Sequence, residues 1–470
     1  MEENNNDIDQ NQKALVKRIA KLIEENKSLS SQVKELTIKN NDLSEQIDRL
    51  KNKLEKYKDG IDHSQEEKTT AVKFNMVTIL FLDVQGFKTI SDDSSSQELI
   101  DELDSINLEF DRISEKHKIA KIKTIGDTYM CAGGVPVKNI TNPVDVVVAA
   151  FEMLNYFTAR KAIYTANNKA FYEIKIGIHT GAVMANTSGK KKISYDLKGE
   201  TVNIASRLMS AAQPGIINIS IMTYELVKEY FSCEYYGKMP VKFQGNLEMY
   251  QVKRIKLAYS VNREGLVPNE IFKTKYLLRQ FTDLQEIILE KLEKELPPYL
   301  YYHNVKHTID FVTQAELIAW GEGVSDEDIL LLKTAGLFHD IGQIQGSKDH
   351  EDRGAAFVFE YLPALGYSPE QIKKISELIM ATKLPPKPNN LLEMIMCDSD
   401  LDYLGRSDFI PISNTLFEEL KAQNIITDFN EWNKLQVKFL SNHHYFTKTG
   451  NTLREVNKQE QIERIKKLIV

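Results

Sequence analysis

A chain of 470 residues exceeds the usual size of one domain, so its length predicts two or three folding units. A net charge of −7 argues against a general nucleic-acid binder, which normally shows a basic surface. The three cysteines are far apart and odd in number, which excludes a disulfide framework and favours a reducing compartment. A polar N-terminus and the lack of an apolar run long enough for a membrane span predict a cytoplasmic protein without membrane insertion.

The first periodic segment, residues 12–58, repeats apolar side chains at alternating spacings of four and three. β-Branched residues such as Ile19 and Val33 occupy the a positions of a heptad, and leucines occupy nearly every d position. Asn26 and Asn40 also fall at a, where a buried amide pairs best with its own copy across a dimer axis. The pattern predicts a parallel homodimeric coiled coil; the alternative is a single amphipathic helix packed on its own domain.

Residues 74–257 alternate strand and helix patterns after a polar stretch at 59–73. An apolar run that ends at Asp83 predicts a buried strand. Gly126 and Asp127 lie between two apolar runs, which predicts a hairpin. This part of the chain is therefore predicted to be a mixed α/β domain of ordinary size.

Strand patterns largely disappear after about residue 270, and helical periodicity continues to the C-terminus. The last segment is therefore predicted to be an all-helical domain. The sequence as a whole predicts a multidomain protein. Its predicted parts are a disordered tail at 1–11, the coiled coil at 12–58, a linker at 59–73, the α/β domain at 74–257, a linker at 258–271 and the all-α domain at 272–470.

Two pairs of residues in the α/β domain could support phosphate chemistry. Asp83 ends a buried strand and Asp127 lies at a hairpin tip, and carboxylates from adjacent strand ends can hold divalent ions. Asn203 and Arg207 are four residues apart on a predicted helix and share one face, where an amide and a guanidinium can hold a polyphosphate. Taken singly, each pair also has an ordinary structural explanation, as a hairpin tip or a surface pair.

These residues lie in three blocks, Phe81–Phe87, Lys121–Asp127 and Gly199–Arg207. Together, and in this order, the blocks closely resemble the signature blocks of the class III adenylate/guanylate cyclase catalytic domain. The resemblance covers roughly residues 74 to 255 and implies a ferredoxin-like α/β fold. It also implies a cyclic nucleotide product formed with release of pyrophosphate.

The resemblance implies a two-metal reaction. Asp83 and Asp127, with the Val84 carbonyl nearby, would hold two Mg²⁺ or Mn²⁺ ions. One ion would lower the pKa of the ribose 3′-hydroxyl and the other would hold the triphosphate. Members of the family build one site from two chains, and this chain carries every main residue of the set. A homodimer with two equivalent sites is therefore expected.

The remaining residues of the resemblance would bind the nucleotide. Asn203 would orient the ribose, Arg207 would stabilise the transition state at the α-phosphate, and Lys242, in a looser block, matches a phosphate-binding lysine. At the two base-recognition positions this chain has Lys123 and Asp196, the pair that family adenylate cyclases place against adenine. The resemblance thus implies ATP as the substrate, with GTP as the alternative.

The helical domain contains a second set of residues typical of metal binding. Its histidines and aspartates resemble the H…HD…D pattern of HD-superfamily metal-dependent phosphohydrolases. The implied ligands of one divalent metal (Mn, Mg, Fe or Zn) are His307, His339, Asp340 and Asp400, with Asp398 as the alternative for the last.

The triplet Tyr302-His303-Asn304 is similar to that of cyclic-nucleotide phosphodiesterases, in which this histidine protonates the leaving oxygen. The resemblance implies hydrolysis of a phosphoester, with a cyclic nucleotide as one candidate. His350 is a candidate for binding a second ion or a phosphate. The alternative is a domain that senses a nucleotide or metal and regulates the cyclase without turnover.

Overall fold

The computed structural model describes residues 71–85, 96–167, 171–188, 194–241 and 245–469. The predicted tail and coiled coil lie outside the described residues, and so does Lys242. Among the helices that are described, none has the length and apolarity needed to cross a lipid bilayer.

One eight-stranded sheet organises the first part of the described chain. Its strands run in the order β2-β3-β1-β4-β6-β8-β7, and β5 pairs with β4 outside this path. All pairs are antiparallel except β4 with β6. The strands are β1 (Ala71–Gln85), β2 (Ala120–Ile125), β3 (Thr128–Gly133), β4 (Glu173–Ser188), β5 (Ser194–Lys198), β6 (Ile217–Ser220), β7 (Phe231–Val241) and β8 (Gly245–Ile255).

Helices cover both faces of this sheet, which explains why β1 is a continuous apolar run. Side chains alternate along the strand, so Leu80 and Leu82 pack under α1 and α2, while Ile79 and Phe81 pack under α3. The predicted α/β domain and its buried first strand are therefore confirmed. The helices are α1 (Ser96–Lys116), α2 (Asn142–Ala166), α3 (Glu200–Ala211) and α4 (Ile221–Val227).

The rest of the described chain, beyond β8, is helical, as predicted. The core of this second part is a cluster of leucine, isoleucine and phenylalanine side chains contributed mainly by its first helices. Short 3₁₀ turns join several of the α-helices. These are α5 (Glu270–Glu295), α6 (Val305–Glu322), α7 (Asp326–Phe338), α8 (His350–Tyr361), α9 (Pro369–Met380), α10 (Leu391–Asp400), α11 (Phe409–Ala422), α12 (Phe429–Asn442) and α13 (Lys448–Lys466).

Two predicted boundaries need correction. β1 begins at Ala71, three residues inside the predicted linker, because these residues pair with β4. The predicted linker at 258–271 is packed structure: Ser260 is buried and bridges to Pro268, and α5 already begins at Glu270. The first pairing depends on a distant strand and the second on a single local bridge, and neither leaves a periodic pattern in the sequence.

Helix α5 belongs to both domains. Phe272, near its start, packs against Tyr230 and Phe231 in the core of the α/β domain, with ring centroids 5.2 and 6.1 Å away. From Leu277 onward, its buried side chains enter the core of the helical domain. The two domains therefore share a rigid element rather than a flexible connection.

Polar contacts fix the middle of α5 to the N-terminus of α2. The Tyr276 hydroxyl donates to Asp145 Oδ1 at 2.7 Å, and Arg279 Nε donates to the Ile140 carbonyl at 3.1 Å. Asp283 in turn accepts from the Ile140 amide at 2.8 Å. Burial raises the pKa of Asp145 to about 6, although the hydroxyl of Tyr276 favours its charged form.

Candidate functional sites

The two aspartates of the α/β domain lie at one edge of the sheet, on neighbouring strands. Asp83 pairs in register with Thr128, directly after Asp127 at the tip of the β2–β3 hairpin. The Val84 amide donates to the Asp127 carbonyl at 3.0 Å, which ties the hairpin to the end of β1. Gly126 has a φ of 61°, a left-handed conformation that glycine adopts without strain, and so permits the tight turn. The predicted hairpin is confirmed, and it brings these two backbone positions together.

Hydrogen bonds hold the Asp83 side chain in place. Its Oδ1 accepts from the Thr128 hydroxyl and its Oδ2 accepts from the Gln85 amide, each at 3.1 Å. Asp83 is half-buried, whereas Asp127 is exposed. Two carboxylates of this kind at adjacent strand ends can together bind divalent ions and phosphate oxygens.

Helix α3 carries Asn203 and Arg207 on its exposed face. Its buried face packs closely against β4 because Gly177 has no side chain. A Cβ at Gly177 would lie 2.0 Å from the backbone nitrogen of Met209. The helix can therefore lie directly on the strand, and it presents the amide and the guanidinium side by side to solvent.

The two predicted base-recognition residues come from two strands that are not paired with each other in the sheet. Lys123 lies on β2 and Asp196 on β5, and these two strands contact each other within one chain. Both side chains are exposed, and Asp196 forms an ion pair with Lys198 at 3.2 Å. These side chains, like those of Asn203 and Arg207, thus lie on surfaces of a single copy that are open to solvent.

The predicted metal ligands of the helical domain lie within contact distance of one another. His307 Nε2 is 3.2 Å from His339 Nε2, 3.4 Å from Asp340 Oδ2 and 3.3 Å from Asp400 Oδ1. His339 Nε2 is 3.2 Å from Asp340 Oδ2. Four donor atoms converge here, two imidazole nitrogens and two carboxylate oxygens, a set suited to a divalent transition metal.

Two polar atoms in this cluster favour a shared cation. His339 Nδ1 donates to the Gly336 carbonyl at 2.8 Å, so a metal ion that displaces the proton from Nε2 would meet the lone pair of this nitrogen in the cluster. Asp340 Oδ2 is buried and accepts no hydrogen bond from the described residues. Because a buried carboxylate oxygen without a partner is costly, the arrangement fits a metal ion between these atoms.

Helix ends and packing position the ligands. Asn304 caps α6 by accepting from the amides of Lys306 and His307, which places His307 in the first turn. His339 follows the last turn of α7, and its ring stacks on Phe311 with centroids 4.2 Å apart. Asp400 is the last residue of α10. Three helix termini therefore meet at one point in the bundle.

The electrostatic potential at the metal-ligand cluster is negative. Burial would lower the pKa of His339, but the charges of Asp340 and Asp400 outweigh it and raise this pKa to about 9. Burial has the opposite effect on Asp340, yet the neighbouring imidazoles hold the pKa of this carboxyl well below its usual range. The same field attracts a divalent cation.

The structure separates the two aspartates that the sequence left as alternatives. Asp398 is fully buried and faces the segment before α13, where it accepts from the Phe446 amide at 2.9 Å and the Thr447 amide at 2.8 Å. Asp400 lies in the metal cluster with His307 and His339. Asp398 thus has a structural role, and Asp400 has the geometry of the ligand.

His303 has a partner that sequence reasoning missed. Its Nδ1 lies 2.5 Å from Glu419 Oε1, and Glu419 Oε2 also accepts from the backbone amides of Tyr302 and His303. Burial would lower the pKa of His303, but the charges of Asp340 and Glu419 raise it. No local signal could have indicated Glu419, because it lies 116 residues away in the sequence.

His350 lies on the other side of Asp340. Its Nε2 is 3.2 Å from Asp340 Oδ1, and its Nδ1 donates to the Ser347 carbonyl at 2.8 Å. Arg353 holds the loop before His350 through the carbonyls of Gly342 and Lys348. One carboxylate oxygen of Asp340 therefore faces the metal-ligand cluster, and the other faces His350.

Two cavities open beside the metal ligands, and Tyr302, Asp400 and Tyr403 line both. The first, here called the polar cavity, has a volume of about 260 Å³ and contains Lys306 and Arg406. The second, here called the apolar cavity, has a volume of about 320 Å³ and is also lined by His303. The remainder of its lining is Leu384, Leu401, Leu404, Phe409, Leu416, Leu420, Trp432, Leu435, Gln436, Phe439 and Leu440.

Two family models match this chain. The model described as the adenylate and guanylate cyclase catalytic domain matches residues 69–254, and the HD domain model matches residues 304–402. Both regions correspond to the resemblances found in the sequence.

The chain is also similar to several characterised cyclases. It is 34% identical over 182 residues to a receptor-type guanylate cyclase of Caenorhabditis elegans, and 35% identical over 185 residues to the guanylate cyclase soluble subunit beta-2 of Homo sapiens. These regions cover 38% and 39% of this chain but only 17% and 30% of those proteins. The crystal structure of the adenylyl cyclase CyaB from P. aeruginosa is 28% identical, covers 39% of this chain and 96% of that chain, and has a TM-score of 0.37.

Proposed function

Because the chain contains a class III adenylate/guanylate cyclase catalytic domain and an HD domain, we propose that it converts ATP to 3′,5′-cyclic AMP and pyrophosphate. The observation that carries the choice of ATP is the pair Lys123 and Asp196, both exposed, on strands β2 and β5, which approach each other within one chain. A lysine can donate to adenine N1 and an aspartate can accept from the N6 amino group. Guanine presents the reverse pattern and would leave both groups unpaired.

GTP is the alternative substrate, because the curated relatives named above are guanylate cyclases. The overall similarity to these relatives reflects the whole domain, whereas base choice depends on the few side chains that touch the base edge. The residues at those positions therefore weigh more than the similarity does.

The other residues of the site act on the ribose and the phosphates. Divalent ions held by Asp83 and Asp127 would supply Lewis-acid charge to the 3′-hydroxyl and the triphosphate. Asn203 orients the ribose, and the Arg207 guanidinium donates to the oxygens on which charge develops during attack at the α-phosphorus. Lys242, outside the described residues, would add a further phosphate contact.

A parallel homodimer fits this chemistry. The side chains of Lys123, Asp127, Asn203 and Arg207 are all exposed in one copy, and an open surface cannot exclude water from a triphosphate. A second copy would cover these surfaces and complete two equivalent sites.

The substrate is tested by incubating purified protein with Mn²⁺ and either ATP or GTP, with the products identified by mass. We expect cyclic AMP from ATP and a much lower rate with GTP. Faster formation of cyclic GTP would contradict the proposal.

A paired substitution tests the residues themselves. Lys123→Glu with Asp196→Cys should shift the ratio of kcat/KM values from ATP towards GTP. Lys121→Glu, a charge reversal on the same strand, is the matched control and should keep the preference of the parent. Unchanged ATP selectivity in the double variant would rule out the assigned roles.

For the helical domain, we propose hydrolysis of a phosphoester at a single-metal site. The observation that carries it is the convergence of His307, His339, Asp340 and Asp400, with the buried Asp340 Oδ2 among them. A bound divalent ion would supply charge to the phosphate oxygens. His303, oriented by Glu419 through Nδ1, donates a proton from Nε2 to the leaving oxygen.

Hydrolysis is tested with a panel of phosphoesters that includes cyclic AMP, using the parent and a His339→Ala, Asp340→Ala variant. The parent should release the alcohol product from at least one ester, and the variant should not. A parent that leaves the whole panel intact would argue against turnover by this domain.

A second function, regulation of the cyclase, is favoured by the contacts of α5. Tyr276 and Arg279 attach this helix to Asp145 and Ile140 at the start of α2, which packs against the sheet. A change in packing at the metal site can therefore reach the α/β domain through one helix.

Regulation predicts that the cyclase rate changes when the metal of the helical domain is lost, even if no ester is cleaved. The His339→Ala, Asp340→Ala variant should then differ from the parent in cyclic nucleotide formation. When both proteins also carry Tyr276→Phe and Arg279→Gln, the difference between their cyclase rates should be smaller. Equal rates in the parent and the metal-site variant would exclude coupling.

A further inference from the structure

The apolar cavity differs sharply from the polar cavity beside it. Arg406 in the wall of the polar cavity pairs with Asp408 at 2.7 Å and Asp310 at 3.4 Å, so charged groups line that cavity. The apolar cavity is lined almost entirely by leucine and aromatic side chains, largely from α11 and α12. It offers a ligand apolar contact and very few hydrogen bonds.

The apolar cavity also contains the proposed proton donor. His303 lines this cavity and not the polar one, while Asp400 of the metal cluster borders both. A general acid must lie within hydrogen-bond reach of the oxygen that it protonates. The group attached to that oxygen therefore extends into the space beside His303.

One buried polar atom at this cavity has no partner. Trp432 lines the cavity and is 6% exposed, and its indole Nε1 has no acceptor among the described residues. The nearby Gln436 carbonyl oxygen already accepts from the Ser413 hydroxyl. Neither atom therefore gives the cavity a free and accessible hydrogen-bonding group.

We propose that the apolar cavity binds the leaving alcohol of the phosphoester, and that this alcohol is apolar; the inference rests on the proposed hydrolase function. In the reaction, the oxygen of water forms a bond to phosphorus and the phosphorus–oxygen bond of the alcohol breaks. The electron pair of that bond stays on the alcohol oxygen, which takes a proton from His303. The proton that water releases passes to solvent, and His303 regains a proton from solvent.

The test compares esters of primary alcohols that differ in polarity but have similar intrinsic reactivity. Full-length protein with Mn²⁺ is given 2-phenylethyl phosphate, ethyl phosphate or 2-hydroxyethyl phosphate. We expect kcat/KM to be at least about tenfold higher for the phenylethyl esters than for the hydroxyethyl esters, as burial of an apolar ring favours binding. Equal values, or a preference for the hydroxyethyl esters, would overturn the inference.

A substitution that fills the cavity makes the test specific. Leu435 lines the cavity but is 46% exposed, so Leu435→Trp can narrow the space without disturbing the core. This variant should lose about tenfold in kcat/KM for the phenylethyl esters and lose less for the hydroxyethyl esters, so the ratio of the two values should fall. Ile425→Trp, at a position that is 61% exposed and away from the cavity, is the matched control and should behave as the parent.

Binding without turnover separates this inference from the proposed hydrolase function. The affinities of 2-phenylethylphosphonate and 2-hydroxyethylphosphonate are measured by calorimetry with the Mn²⁺-loaded protein. Tighter binding of the phenylethyl compound, weakened by Leu435→Trp, supports the apolar site even if no ester is cleaved. Equal affinity for the two phosphonates would overturn the inference, whatever the outcome for hydrolysis.

Discussion

The α/β domain and the helical domain prepare their candidate sites in different ways. In the α/β domain, the side chains of Lys123, Asp127 and Arg207 are exposed on a strand, a hairpin and a helix. In the helical domain, His339 and Asp340 are 2% and 5% exposed and already contact the other ligands. The candidate residues of the first site are open to solvent, whereas those of the second contact one another within one chain.

The difference follows from the elements that carry each site. Strand ends and a hairpin tip project from the edge of a sheet, so their side chains meet solvent unless another surface covers them. Helix termini inside a bundle converge on its core, where the low dielectric makes unpaired charges costly and favours a bound cation. The metal site of the helical domain and the proposed dimeric cyclase site should therefore respond differently to mutation and dilution.

The largest expected effect concerns the candidate cyclase site of the α/β domain. Asp127→Asn should lower the rate of cyclic nucleotide formation about 10³-fold, because a metal ion contributes several kcal/mol to stabilisation of the transition state. Phosphoester hydrolysis should keep the parent's rate. Asp104→Asn, an exposed aspartate on α1, is the control and should leave both rates unchanged. A small effect of Asp127→Asn on the cyclase would contradict its role.

Mixing two inactive variants sharpens the comparison. Asp127→Asn and Arg207→Ala chains should each be inactive alone. In an equal mixture, half of the dimers are mixed and each has one intact site, so about a quarter of the parent's cyclase activity should return. Corresponding variants of the helical domain, such as His339→Ala with Asp400→Asn, should not restore hydrolysis. Failure of the first pair to recover activity would show that each cyclase site lies within one chain.

The two neighbouring aspartates of α10 provide a matched pair for the preassembled site. Asp400→Asn should weaken Mn²⁺ binding about 100-fold, as expected for loss of a ligand, and leave the melting temperature of the metal-free protein close to the parent's. Asp398→Asn should retain the metal but lower the free energy of unfolding by about 1 to 3 kcal/mol, because its hydrogen bonds to Thr447 are lost. Metal content after dialysis and thermal unfolding measure the two effects. Loss of metal in Asp398→Asn with retention in Asp400→Asn would reverse the assignment.

The junction between the two domains has its own pH dependence. Burial raises the pKa of Asp145 to about 6, above the value of about 3.9 in an unfolded chain. Between these values the folded state binds more protons, so ionisation of Asp145 lowers the free energy of unfolding as the pH rises from about 4 to 6. In Asp145→Asn this contribution is absent.

The stability of Asp145→Asn relative to the parent should therefore increase by about 2 to 3 kcal/mol across this pH window and then level off. Denaturant unfolding at several pH values between 4 and 7 measures the difference. The free energy of unfolding of Asp104→Asn should change with pH in the same way as that of the parent. A constant difference between Asp145→Asn and the parent would show that Asp145 does not titrate in this range.

The smallest expected effect is on assembly. Removing residues 1–58, the predicted tail and coiled coil, should raise the protein concentration needed for half-maximal specific cyclase activity about tenfold, because the two copies lose a tether that raises their effective concentration. Specific hydrolase activity should stay independent of concentration. A hydrolase that also loses activity on dilution would mean that the helical domain needs a second copy as well.

Several parts of the fold could be predicted from local sequence. The apolar run ending at Asp83 predicted a strand buried on both faces, and Gly126-Asp127 predicted the hairpin, because both signals depend on neighbouring residues. Local sequence does not predict where the strands of the β7–β8 hairpin begin and end, because β7 carries two register shifts and mixed polarity. Local periodicity is a poor guide where a strand is irregular.

The sequence by itself determined the order of the domains, the family resemblances and most candidate ligands, because these depend on residue types at short spacing. Only the tertiary structure decided between Asp398 and Asp400, since one faces α13 and the other faces His307. It alone joined His303 to Glu419 and revealed α5 as a helix shared by two cores. These features depend on contacts between residues far apart in the chain, and such contacts leave no periodic signal in the sequence.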